Sequence, residues 1–397
     1  RARPAPRGVA LQVRVDAEDP HNAFNATTGT LTDVRFPTGA RVETWVARGT
    51  EVAPWSDPLI ARLVVHGETR DEALRRLRQA MQLTRLSGIE TSLAWLRSVA
   101  AAPAFITAAH TTRLLEDFPW TAPAAVRVLE SGVQSTVQDW PGRVGYWDVG
   151  VPPSGPMDEY AFRVANRLVG NERGGGGSTA GLECTMTGPV LRFDADAVVA
   201  VTGAPADVQL DGEPFAMWTS HAIPAGSVLR IGRIPGPGSR PYLAIAGGID
   251  VAPYLGSRST FMLGRFGGHG GRSLRVGDVL HLADASLSAT LLSDAEPPVY
   301  PSQWTLGVLI GPQASPDFLT PADVDSLFSA TWTVHFKSSR AGLRLVGPKP
   351  QWARTDGGEA GLNPAAIHDN AYAVGSIVFN GDMPVIVGPD DHRHVAV

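Results

Sequence analysis

The polar side chains best suited to catalysis are concentrated in residues 337–370, which contain both lysines of a chain with 34 basic residues. Lysine and arginine can polarise an oxygen atom that gains negative charge, whereas carboxylates, imidazoles and amides can hold a polar substrate and accept its proton. The segment contains Lys337, Arg340, Arg344, Lys349, Arg354, Asp356, Glu359, Asn363, His368, Asp369 and Asn370. It could therefore bind and activate a small polar substrate, although a charged loop is more often solvated surface.

A second candidate stretch, residues 138–171, begins as a run rich in glycine and proline. Such a run favours a rigid loop, and the apolar spacing across residues 157–168 predicts a helix directly after it. A helix N-terminus reached by a stiff polar loop can bind an anionic or polar ligand. The candidate binding residues here are Ser154, Asp158 and Asn166. A structural loop that closes the end of a β-barrel is an equally good interpretation.

Two further motifs place polar side chains next to glycines or serines. Arg258 lies in GSRST, and His269 and Arg272 lie in FGGHGGR. The glycine-rich motif resembles an anion-binding loop but lacks the Lys-Ser/Thr pair of a nucleotide-binding loop, so it does not indicate ATP binding. Ser154 lies in PPSGP rather than in the G-x-S-x-G turn of a serine hydrolase, which argues against that class of enzyme.

The composition excludes several classes of protein. A chain of 397 residues with 43% apolar and 18% charged residues is typical of a soluble globular protein of two or three domains. Its net charge of −5 gives no indication of nucleic-acid binding, and no apolar run is long enough to span a membrane. The single Cys184 excludes an internal disulfide and a multi-cysteine metal site, so we expect a cytoplasmic protein without a bound metal.

The candidate residues must be positioned by two different kinds of unit. Residues 1–120 combine strand patterns with an amphipathic helix at residues 68–86, which predicts an α+β fold. From residue 125 onward, short apolar segments such as AVVAVTGA, RPYLAIAGGI and LGVLIG recur between turn signals. This pattern predicts an antiparallel β-barrel or sandwich. The glycine-rich tract at residues 172–181 is expected to be a flexible loop.

The first unit resembles the C-terminal part of biotin carboxylases. The motifs RVDAEDP, RVETWVARGTEV, SDPLIARLVVHG, TRDEAL and GIETSLAWL follow one another as they do there, in a version most similar to urea carboxylase. The resemblance implies that Arg14 stabilises the bicarbonate and the biotin enolate at the carboxylation centre, a role that suits the permanent charge of arginine. The alternative is a strand arginine that pairs with Glu18 or Asp19.

The same resemblance implies ATP and Mg²⁺ for a whole enzyme only, because the ATP-grasp region of a biotin carboxylase would precede residue 1. ATP turnover by this chain alone is therefore not expected. The chain also departs from the usual residues of the family at Ser56, Arg62 and Ser92.

The second unit resembles the carboxyltransferase domain of urea carboxylase and urea amidolyase. The motifs that carry this resemblance include QDWPGRVGYWDVGVPPSGPMD, GLECTMTGPVLRF, YLAIAGGIDVAPYLGSRSTF and GRFGGHGGRSLRVGD. A wider group with similar motifs includes the C subunit of 5-oxoprolinase and KipA-like proteins, and its fold is cyclophilin-like. Residues 332–389 are similar to urea carboxylase more narrowly.

These resemblances imply a fold and a division of the chain. We expect an α+β biotin carboxylase C-terminal subdomain in residues 1–120, followed by a mainly-β cyclophilin-like barrel in residues 125–397 that is truncated at its C-terminus. The remaining biotin carboxylase, the second carboxyltransferase half and a biotin carrier domain would be partners. No methionine of the chain is followed by lysine, which excludes the usual biotin attachment motif.

The implied function is that of a part of a biotin-dependent urea carboxylase, which transfers a carboxyl group from carboxybiotin to urea and forms allophanate. The catalytic candidates are Arg14, Lys349, Arg354, Asp356, His368 and Asp369. The candidates for binding the small amide substrate or carboxybiotin are Ser154, Asp158, Asn166, Arg258, His269, Arg272, Arg340, Glu359 and Asn370. We expect the loop that starts near Gln138 to share a pocket with residues 349–370. The alternatives are a partner protein like the 5-oxoprolinase C subunit or KipA, and a non-catalytic truncated remnant.

Overall fold

The computed structural model describes most of the chain, in two units that lie against each other. The described residues are 7–55, 57–116, 118–171, 179–283, 296–311, 314–357, 361, 363–366 and 373–391. The N-terminal unit combines strands with helices, and the second unit is built mainly of strands. The tract predicted to be flexible, residues 172–181, lies largely outside the described residues.

The N-terminal unit is built on one three-stranded sheet, with short pairs of strands beside it. Its strands are β1 (Val9–Asp16), β2 (Glu18–Asp19), β3 (Asn25–Ala26), β4 (Gly29–Thr30), β5 (Asp33–Arg35), β6 (Arg41–Thr44), β7 (Glu51–Val52), β8 (Leu59–Gly67) and β9 (Arg85–Ser87). The three-stranded sheet is antiparallel with the order β1-β8-β6. Buried side chains alternate along the second half of β8, so one face of the sheet contributes to a core shared with the helices.

The helices of this unit are α1 (Arg70–Leu83), α2 (Leu93–Ala101) and α3 (Pro103–Ile106). Helix α1 begins where the Thr69 hydroxyl accepts a hydrogen bond from the backbone amide of Glu72, which satisfies an otherwise free donor of the first turn. Its side chains Leu77 and Met81 are fully buried in the core. The helix predicted at residues 68–86 ends earlier, because Arg85 already pairs in strand β9 with β5.

Two antiparallel sheets form the centre of the second unit. Their strands are β10 (Ala125–Glu130), β11 (Gln134–Gln138), β12 (Gly181–Thr185), β13 (Val190–Phe193), β14 (Ala197–Gly203), β15 (Val208–Leu210), β16 (Glu213–Pro214), β17 (Ser220–Ile223), β18 (Val228–Ile231), β19 (Pro241–Ile245) and β20 (Val279–His281). One sheet has the order β16-β15-β18-β13-β10-β20 and the other has the order β11-β12-β19-β14-β17. Leu191 of the first sheet and Leu243 of the second belong to one fully buried core.

The strand-rich character predicted for this unit is confirmed. The described strands form separate sheets, and no closed barrel is found among them. The coarser prediction of a mainly-β domain after an α+β domain therefore holds, whereas the barrel is not established by the described strands.

Helix α4 (Glu159–Leu168) covers the second sheet of this unit. The Asp158 carboxylate accepts a hydrogen bond from the backbone amide of Ala161 at 2.9 Å and so caps the helix. The buried face of α4 packs through Phe162 against Tyr242, in a cluster that also contains Trp218. The helix predicted at residues 157–168 is confirmed, and its N-terminus lies at the end of the glycine- and proline-rich loop.

The C-terminal region adds helix α5 (Pro321–Ser329) and a small sheet. The strands of this sheet are β21 (Thr333–Val334), β22 (Gly342–Val346), β23 (Ile377–Asn380) and β24 (Met383–Val387), in the order β21-β22-β24-β23. The strand predicted in LGVLIG is not formed, since residues 306–311 have no regular structure and Leu309 is 97% exposed.

The two units are joined by ion pairs and by one backbone bridge. Arg127 lies 2.7 Å from Asp19, and Arg85 lies 3.3 Å from Asp250. An isolated antiparallel bridge joins Gly88, directly after β9, to Val279 of β20. None of the helices in the described ranges has the length and apolar character that a bilayer-spanning helix requires.

Candidate functional site

The loop of residues 138–158, named here the turn-rich loop, connects β11 towards α4 and is anchored by Asp139. The Asp139 carboxylate accepts hydrogen bonds from the hydroxyls of Ser257 and Ser259, each at 2.6 Å, and from the backbone amide of Arg258 at 2.7 Å. All three groups converge on a side chain that is only 1% exposed. Because a buried carboxylate needs such donors, this anchor fixes the first turn of the loop.

Arg143 is the single basic residue of the turn-rich loop, and only 1% of its surface is exposed. Its Nε donates to the carbonyl of Tyr254 at 3.1 Å, and its Nη2 donates to the carbonyl of Ser259 at 2.8 Å. The guanidinium also lies over the ring of Phe266, 4.9 Å from the ring centre. Its remaining nitrogen, Nη1, is buried and has no hydrogen-bond partner among the described residues.

Burial lowers the pKa of the Arg143 guanidinium, and the charge of Asp139 opposes this effect. Arginine nevertheless remains protonated in proteins, because its ordinary pKa is so high. The turn-rich loop therefore contains a buried cation whose hydrogen bonds to Tyr254 and Ser259 go to neutral carbonyls.

Two more donors of the same loop are buried without a hydrogen-bond partner in the described part of the chain. They are the hydroxyl of Ser154 and the indole nitrogen of Trp147. Ser154 is 3% exposed, has a φ of 55° and donates its backbone amide to the carbonyl of Pro389 at 2.8 Å. The backbone amide of Arg143 donates to the carbonyl of Pro153 at 2.6 Å, so the backbones at Arg143 and Ser154 lie side by side.

Asp158 and Asn166 have structural partners. Besides capping α4, the Asp158 carboxylate accepts a hydrogen bond from the Tyr300 hydroxyl at 3.0 Å. The Asn166 amide donates to the carbonyl of Phe162 at 3.1 Å and accepts from Asn171 at 2.7 Å. These contacts give both predicted binding residues a role in holding α4 and the segment after it.

Arg340 connects the C-terminal sheet to the turn-rich loop. It is 4% exposed, donates to the carboxylates of Glu183 and Asp390, and donates through Nη2 to the carbonyl of Gly155 at 2.6 Å. Burial by itself would lower the pKa of Arg340, but the two carboxylates raise it above its ordinary value. Arg340 is thus a predicted binding residue that does lie against the loop, but its nitrogens are already occupied.

Glu183 completes the buried network around Arg340. Burial by itself would raise the pKa of Glu183, but Arg340 and Arg240 hold it below its ordinary value. The carboxylate also accepts hydrogen bonds from the Tyr242 hydroxyl at 3.0 Å and from the backbone amide of Met157 at 2.8 Å. The network therefore fixes the end of the turn-rich loop relative to strands β12 and β19.

The other motif residues have partners around the segment after β19. The side chain of Arg258 donates to the carbonyl of Val251 at 3.1 Å. Arg272 forms two hydrogen bonds of 2.7 Å to the Asp278 carboxylate. Burial alone would raise the pKa of Asp278, but the hydrogen bonds from Arg272 and the proximity of His269 lower it. The His269 imidazole, 3% exposed, has its Nε2 atom 3.6 Å from Asp278.

The glycines of FGGHGGR allow close backbone packing. A Cβ atom on Gly267 would overlap the carbonyl oxygen of Ser259, and one on Gly268 would overlap the Thr260 hydroxyl. The sequence motif resembles an anion-binding loop, but these contacts give its glycines a packing role. His269 instead lines a cavity of about 60 Å³ between the two units, together with Arg48 and Arg85.

The exposed candidates lie farther along the chain. Lys349 has 79% of its side chain exposed and lies 3.4 Å from the Asp382 carboxylate. Arg354 stacks on the ring of Phe318 at 4.5 Å and donates to the backbone carbonyl of Asp356 at 2.7 Å. These contacts are made within the C-terminal region and not to the turn-rich loop. The remaining candidates lie outside the described residues: Glu359, His368, Asp369 and Asn370.

Arg14 lies in the N-terminal unit, on the edge strand β1 opposite Arg62. Its side chain is 52% exposed and donates to the Asp16 carboxylate at 3.3 Å. The sequence suggests Glu18 or Asp19 as a pairing partner, but the hydrogen-bonded carboxylate is that of Asp16. Asp19 instead pairs with Arg127 of the second unit.

Arg143 and Trp147 are not among the candidates chosen from the sequence, although both lie in the second candidate stretch. The sequence does contain a signal that could have identified Arg143. It directly follows Pro141-Gly142, in a run of turn-forming residues that favours a fixed backbone. The arrangement around these residues offers buried hydrogen-bond donors and one cation, which can bind the oxygen atoms of an anion. No group of three or more histidine, cysteine, aspartate or glutamate side chains able to hold a metal is found among the described residues.

Comparison with known protein families assigns both units. Residues 149–394 match the family "Carboxyltransferase domain, subdomain A and B", and residues 12–117 match "Biotin carboxylase C-terminal domain". The first match covers more than half of the 397 residues.

Individual relatives agree with this assignment. The chain is 44% identical to the urea amidolyase of Lachancea kluyveri over 395 residues, which cover 96% of this chain and 21% of the relative. It is 34% identical to the C subunit of 5-oxoprolinase from Escherichia coli over 224 residues, which cover 56% of this chain and 68% of the relative. A crystal structure of the Kluyveromyces lactis urea carboxylase is similar with a TM-score of 0.81 and 42% identity, over 97% of this chain and 35% of that chain.

The chain thus spans about a fifth of the length of the urea amidolyase that it matches. The resemblance stated from the sequence motifs is confirmed in both units. The chain therefore belongs to the carboxyltransferase family of subdomains A and B, and a biotin carboxylase C-terminal domain precedes that region.

Proposed function

We propose that the chain is part of a biotin-dependent urea carboxylase. Residues 1–120 would be the end of the biotin carboxylase domain, and residues 125–397 the first half of a cyclophilin-like carboxyltransferase domain. The reaction takes place in the cytoplasm and also requires the rest of the biotin carboxylase, the second carboxyltransferase half and a biotin carrier domain. ATP and Mg²⁺ act in the biotin carboxylase part of the whole enzyme.

One chain contains both family regions, with the biotin carboxylase region before the carboxyltransferase region. The two regions pack against each other through Arg127 and Asp19. This observation carries the proposal. The match to urea amidolyase covers 96% of this chain and includes both regions. The match to the C subunit of 5-oxoprolinase covers 56% of it, which is less than the length of both regions together. This difference favours a urea carboxylase over a 5-oxoprolinase component.

Biotin, when bound, supplies a carboxyl group attached to a ureido nitrogen. In the overall transfer, the bond from that nitrogen to the carboxyl carbon breaks and a bond from a urea nitrogen to the same carbon forms. The urea nitrogen loses one proton and the ureido nitrogen gains one, so charge and atoms balance. The protein must therefore bind carboxylate oxygens, orient the urea amide and assist this proton transfer.

We assign these tasks to residues of the turn-rich loop, of the segment after β19 and of residues 349–370. Lys349, Arg354, Asp356, His368 and Asp369 remain the proposed catalytic residues, and Ser154, Arg258, His269, Arg272, Glu359 and Asn370 the proposed binding residues. Arg340, Asp158 and Asn166 are now proposed to position the turn-rich loop and α4, because their hydrogen bonds go to backbone atoms of that loop and that helix. Arg14, exposed on β1, is proposed to act at the separate carboxylation centre.

A chimera tests the proposal. The matching 395-residue segment of the Lachancea kluyveri urea amidolyase is replaced by this chain, and ATP hydrolysis is measured with and without urea. We expect hydrolysis that depends on urea, because this chain would supply a functional carboxyltransferase half. A folded, biotinylated chimera that hydrolyses ATP at the same rate with and without urea would contradict the proposal.

The second candidate function is that of a partner protein like the C subunit of 5-oxoprolinase. It is favoured by the 34% identity to the Escherichia coli protein, of which the chain covers 68%. The same chimera can be assayed with 5-oxoproline in place of urea. ATP hydrolysis stimulated by 5-oxoproline and not by urea would favour this candidate.

A further inference from the structure

The cavity of about 60 Å³ between the two units, named here the inter-unit cavity, is lined by several incompletely paired polar groups. Buried polar side-chain atoms without a hydrogen-bond partner are rare in native proteins, and each one calls for an explanation. Six such atoms occur among the described residues, and three of them belong to residues that line this cavity, namely Asp33, Arg85 and His269. Half of these atoms are therefore found on residues of one cavity.

The inter-unit cavity has room for a small polyatomic ion. One water needs roughly 10–15 Å³ of such space, so a cavity of about 60 Å³ holds several atoms of that size. Both units contribute to its lining, since Arg48 and Arg85 belong to the N-terminal unit and Asp250 and His269 to the second. A molecule in the cavity therefore contacts both units at once.

Positive charge is in excess in this lining. The charged side chains are three arginines, Arg35, Arg48 and Arg85, and two carboxylates, those of Asp33 and Asp250. Asp33 lies 3.2 Å from Arg35 and 3.0 Å from Arg85, and Asp250 lies 3.3 Å from Arg85. Because both carboxylates pair with Arg35 and Arg85, the charge of Arg48 is left without a partner in the lining.

Arg48 reaches from the N-terminal unit to the second unit. Its Nη2 donates to the backbone carbonyl of Arg265 at 3.0 Å, and no carboxylate of the described residues forms an ion pair with it. A carbonyl can hold the guanidinium in place but carries no net charge. The forked donors of an arginine suit two oxygens of one anion, so an oxyanion is the complement that this side chain lacks.

His269 contributes a hydrogen-bonding group from the second unit. Its side chain is 3% exposed, and its Nε2 has no hydrogen-bond partner in the described ranges. The Asp278 carboxylate is 3.6 Å from this nitrogen, which is beyond hydrogen-bond distance. An imidazole N–H can donate to an oxyanion. Water could also fill the cavity, but it would not compensate the excess positive charge.

We propose that the inter-unit cavity binds one small oxyanion, that Arg48 and His269 hold it from the two units, and that the bound anion strengthens the contact between them. Arg85 stays paired with Asp33 and Asp250 and forms part of the cavity wall. Neither biotin nor urea takes part, so this site goes beyond the proposed function.

The site is tested on the chain itself, with inorganic phosphate as the probe. Isothermal titration calorimetry measures the affinity for phosphate, and sodium chloride at the same ionic strength is the matched ligand control. We expect saturable binding of one phosphate per chain and none of chloride. Phosphate at low millimolar concentration should also raise the melting temperature, because a ligand that binds only the folded state stabilises it.

Arg48→Gln is the decisive variant, because it removes the unpaired charge and loses only one hydrogen bond, to the carbonyl of Arg265. We expect about 10-fold weaker binding of phosphate or more, and a nearly unchanged melting temperature in its absence. Arg230→Gln is the matched control, since Arg230 is 48% exposed, pairs with Glu130 at 3.0 Å and does not line the cavity. That control should bind phosphate as the natural chain does.

His269→Leu tests the contribution of the second unit. It replaces the imidazole by an apolar side chain of similar size and should also weaken phosphate binding, in a chain shown to be folded by its melting curve. Arg48→Gln keeps the inference falsifiable if this buried variant does not fold. The inference would be overturned by a natural chain that does not bind phosphate, by equal affinity in Arg48→Gln, or by an equal loss in Arg230→Gln.

Competition identifies the form of the oxyanion. Displacement of phosphate by phenyl phosphate supports an occupant that carries a phosphate group on a larger molecule, whereas exclusion of phenyl phosphate supports the free ion. The result is independent of the proposed function. Phosphate binding that requires Arg48, combined with a chimera that does not respond to urea, would retain the anion site and refute the urea carboxylase. The reverse combination would refute the anion site alone.

Discussion

Arg340 and Glu183 form a buried ion pair although they lie 157 positions apart in the sequence. The side chain of Arg340 is 4% exposed and that of Glu183 is 1% exposed. Because Arg340 also binds Asp390 and the carbonyl of Gly155, one guanidinium joins the C-terminal region to strand β12 and to the turn-rich loop. The position of the loop therefore depends on a residue far away in the sequence.

Replacing Arg340 by methionine should destabilise the chain strongly. The change removes the guanidinium that pairs with two buried carboxylates, and breaking a buried ion pair from one side typically costs about 3–5 kcal/mol. Chemical unfolding monitored by circular dichroism measures this loss. Lys349→Met is the matched control and should cost less than about 1 kcal/mol, because the pair of Lys349 with Asp382 is exposed to solvent. Equal losses in the two variants would contradict the role given to Arg340.

Acid should weaken the same network. The pKa of Glu183 in the folded chain is below its ordinary value of 4.5, so the unfolded chain binds more protons at this site. The stabilisation it contributes is present above about pH 4.5 and is lost as the pH falls through the lowered pKa of the folded state. The unfolding free energy between about pH 7 and pH 3 should therefore fall less steeply in Glu183→Gln than in the natural chain. Identical slopes would show that Glu183 is not held ionised by Arg340.

Gly268 should not tolerate a side chain. A Cβ atom there would overlap the Thr260 hydroxyl at a φ of 51°, so Gly268→Ala combines backbone strain with overpacking. We expect a loss of about 2–5 kcal/mol in unfolding free energy. Gly277→Ala is the control, since its φ is 89° but its Cβ atom would meet open space. That variant should lose only about 1–2 kcal/mol, and a similar loss in both would refute the packing explanation.

The contact of Arg127 with Asp19 should couple the two units. A double-mutant cycle with Arg127→Met and Asp19→Asn is expected to give a coupling energy of about 1–3 kcal/mol in the unfolding free energy. Both side chains are largely buried, with exposures of 21% and 5%. The exposed pair of Arg41 and Glu43 provides the control cycle and should give less than about 1 kcal/mol. A coupling energy near zero for Arg127 and Asp19 would mean that the units do not stabilise each other through this pair.

Lys349 should affect activity without affecting stability. In the chimera, Lys349→Gln is expected to lower urea-dependent ATP hydrolysis by about 10-fold or more, as the loss of one polarising group commonly does. Its exposed side chain predicts an unchanged melting temperature. Lys337→Gln is the matched control, because it removes the chain's other lysine and should leave the activity unchanged. Equal activity in the two variants would remove Lys349 from the catalytic candidates.

Local patterns in the sequence are sufficient to predict the elements that carry strong periodicity. Helices α1 and α4 are predictable because their apolar residues recur at helical spacing and each has a capping side chain at its start. The segment LGVLIG shows the limit of this reasoning. An apolar run predicts burial, but Leu309 is 97% exposed because no neighbouring strand covers it in the described part of the fold.

The site is harder to predict because burial and pairing depend on distant residues. Its residue type and its charged segment make Arg340 a candidate for substrate binding. In the structure, however, its guanidinium is hydrogen-bonded to Glu183 and Asp390. Arg143 is one polar residue among many turns, yet it is buried, and its Nη1 has no partner among the described residues. Neither property can be derived from residue type or spacing, since each follows from which strands and loops meet in the folded chain.

The most direct test of the central claim follows the carboxyl carbon itself. The chimera is supplied with ATP, Mg²⁺, urea and carbon-13 bicarbonate, and the product is examined by carbon-13 NMR after the allophanate-hydrolysing part has been inactivated. We expect a labelled carboxylate bonded to a urea nitrogen, formed only when urea and ATP are both present. A biotinylated, folded chimera that consumes ATP but places no label on urea would contradict it.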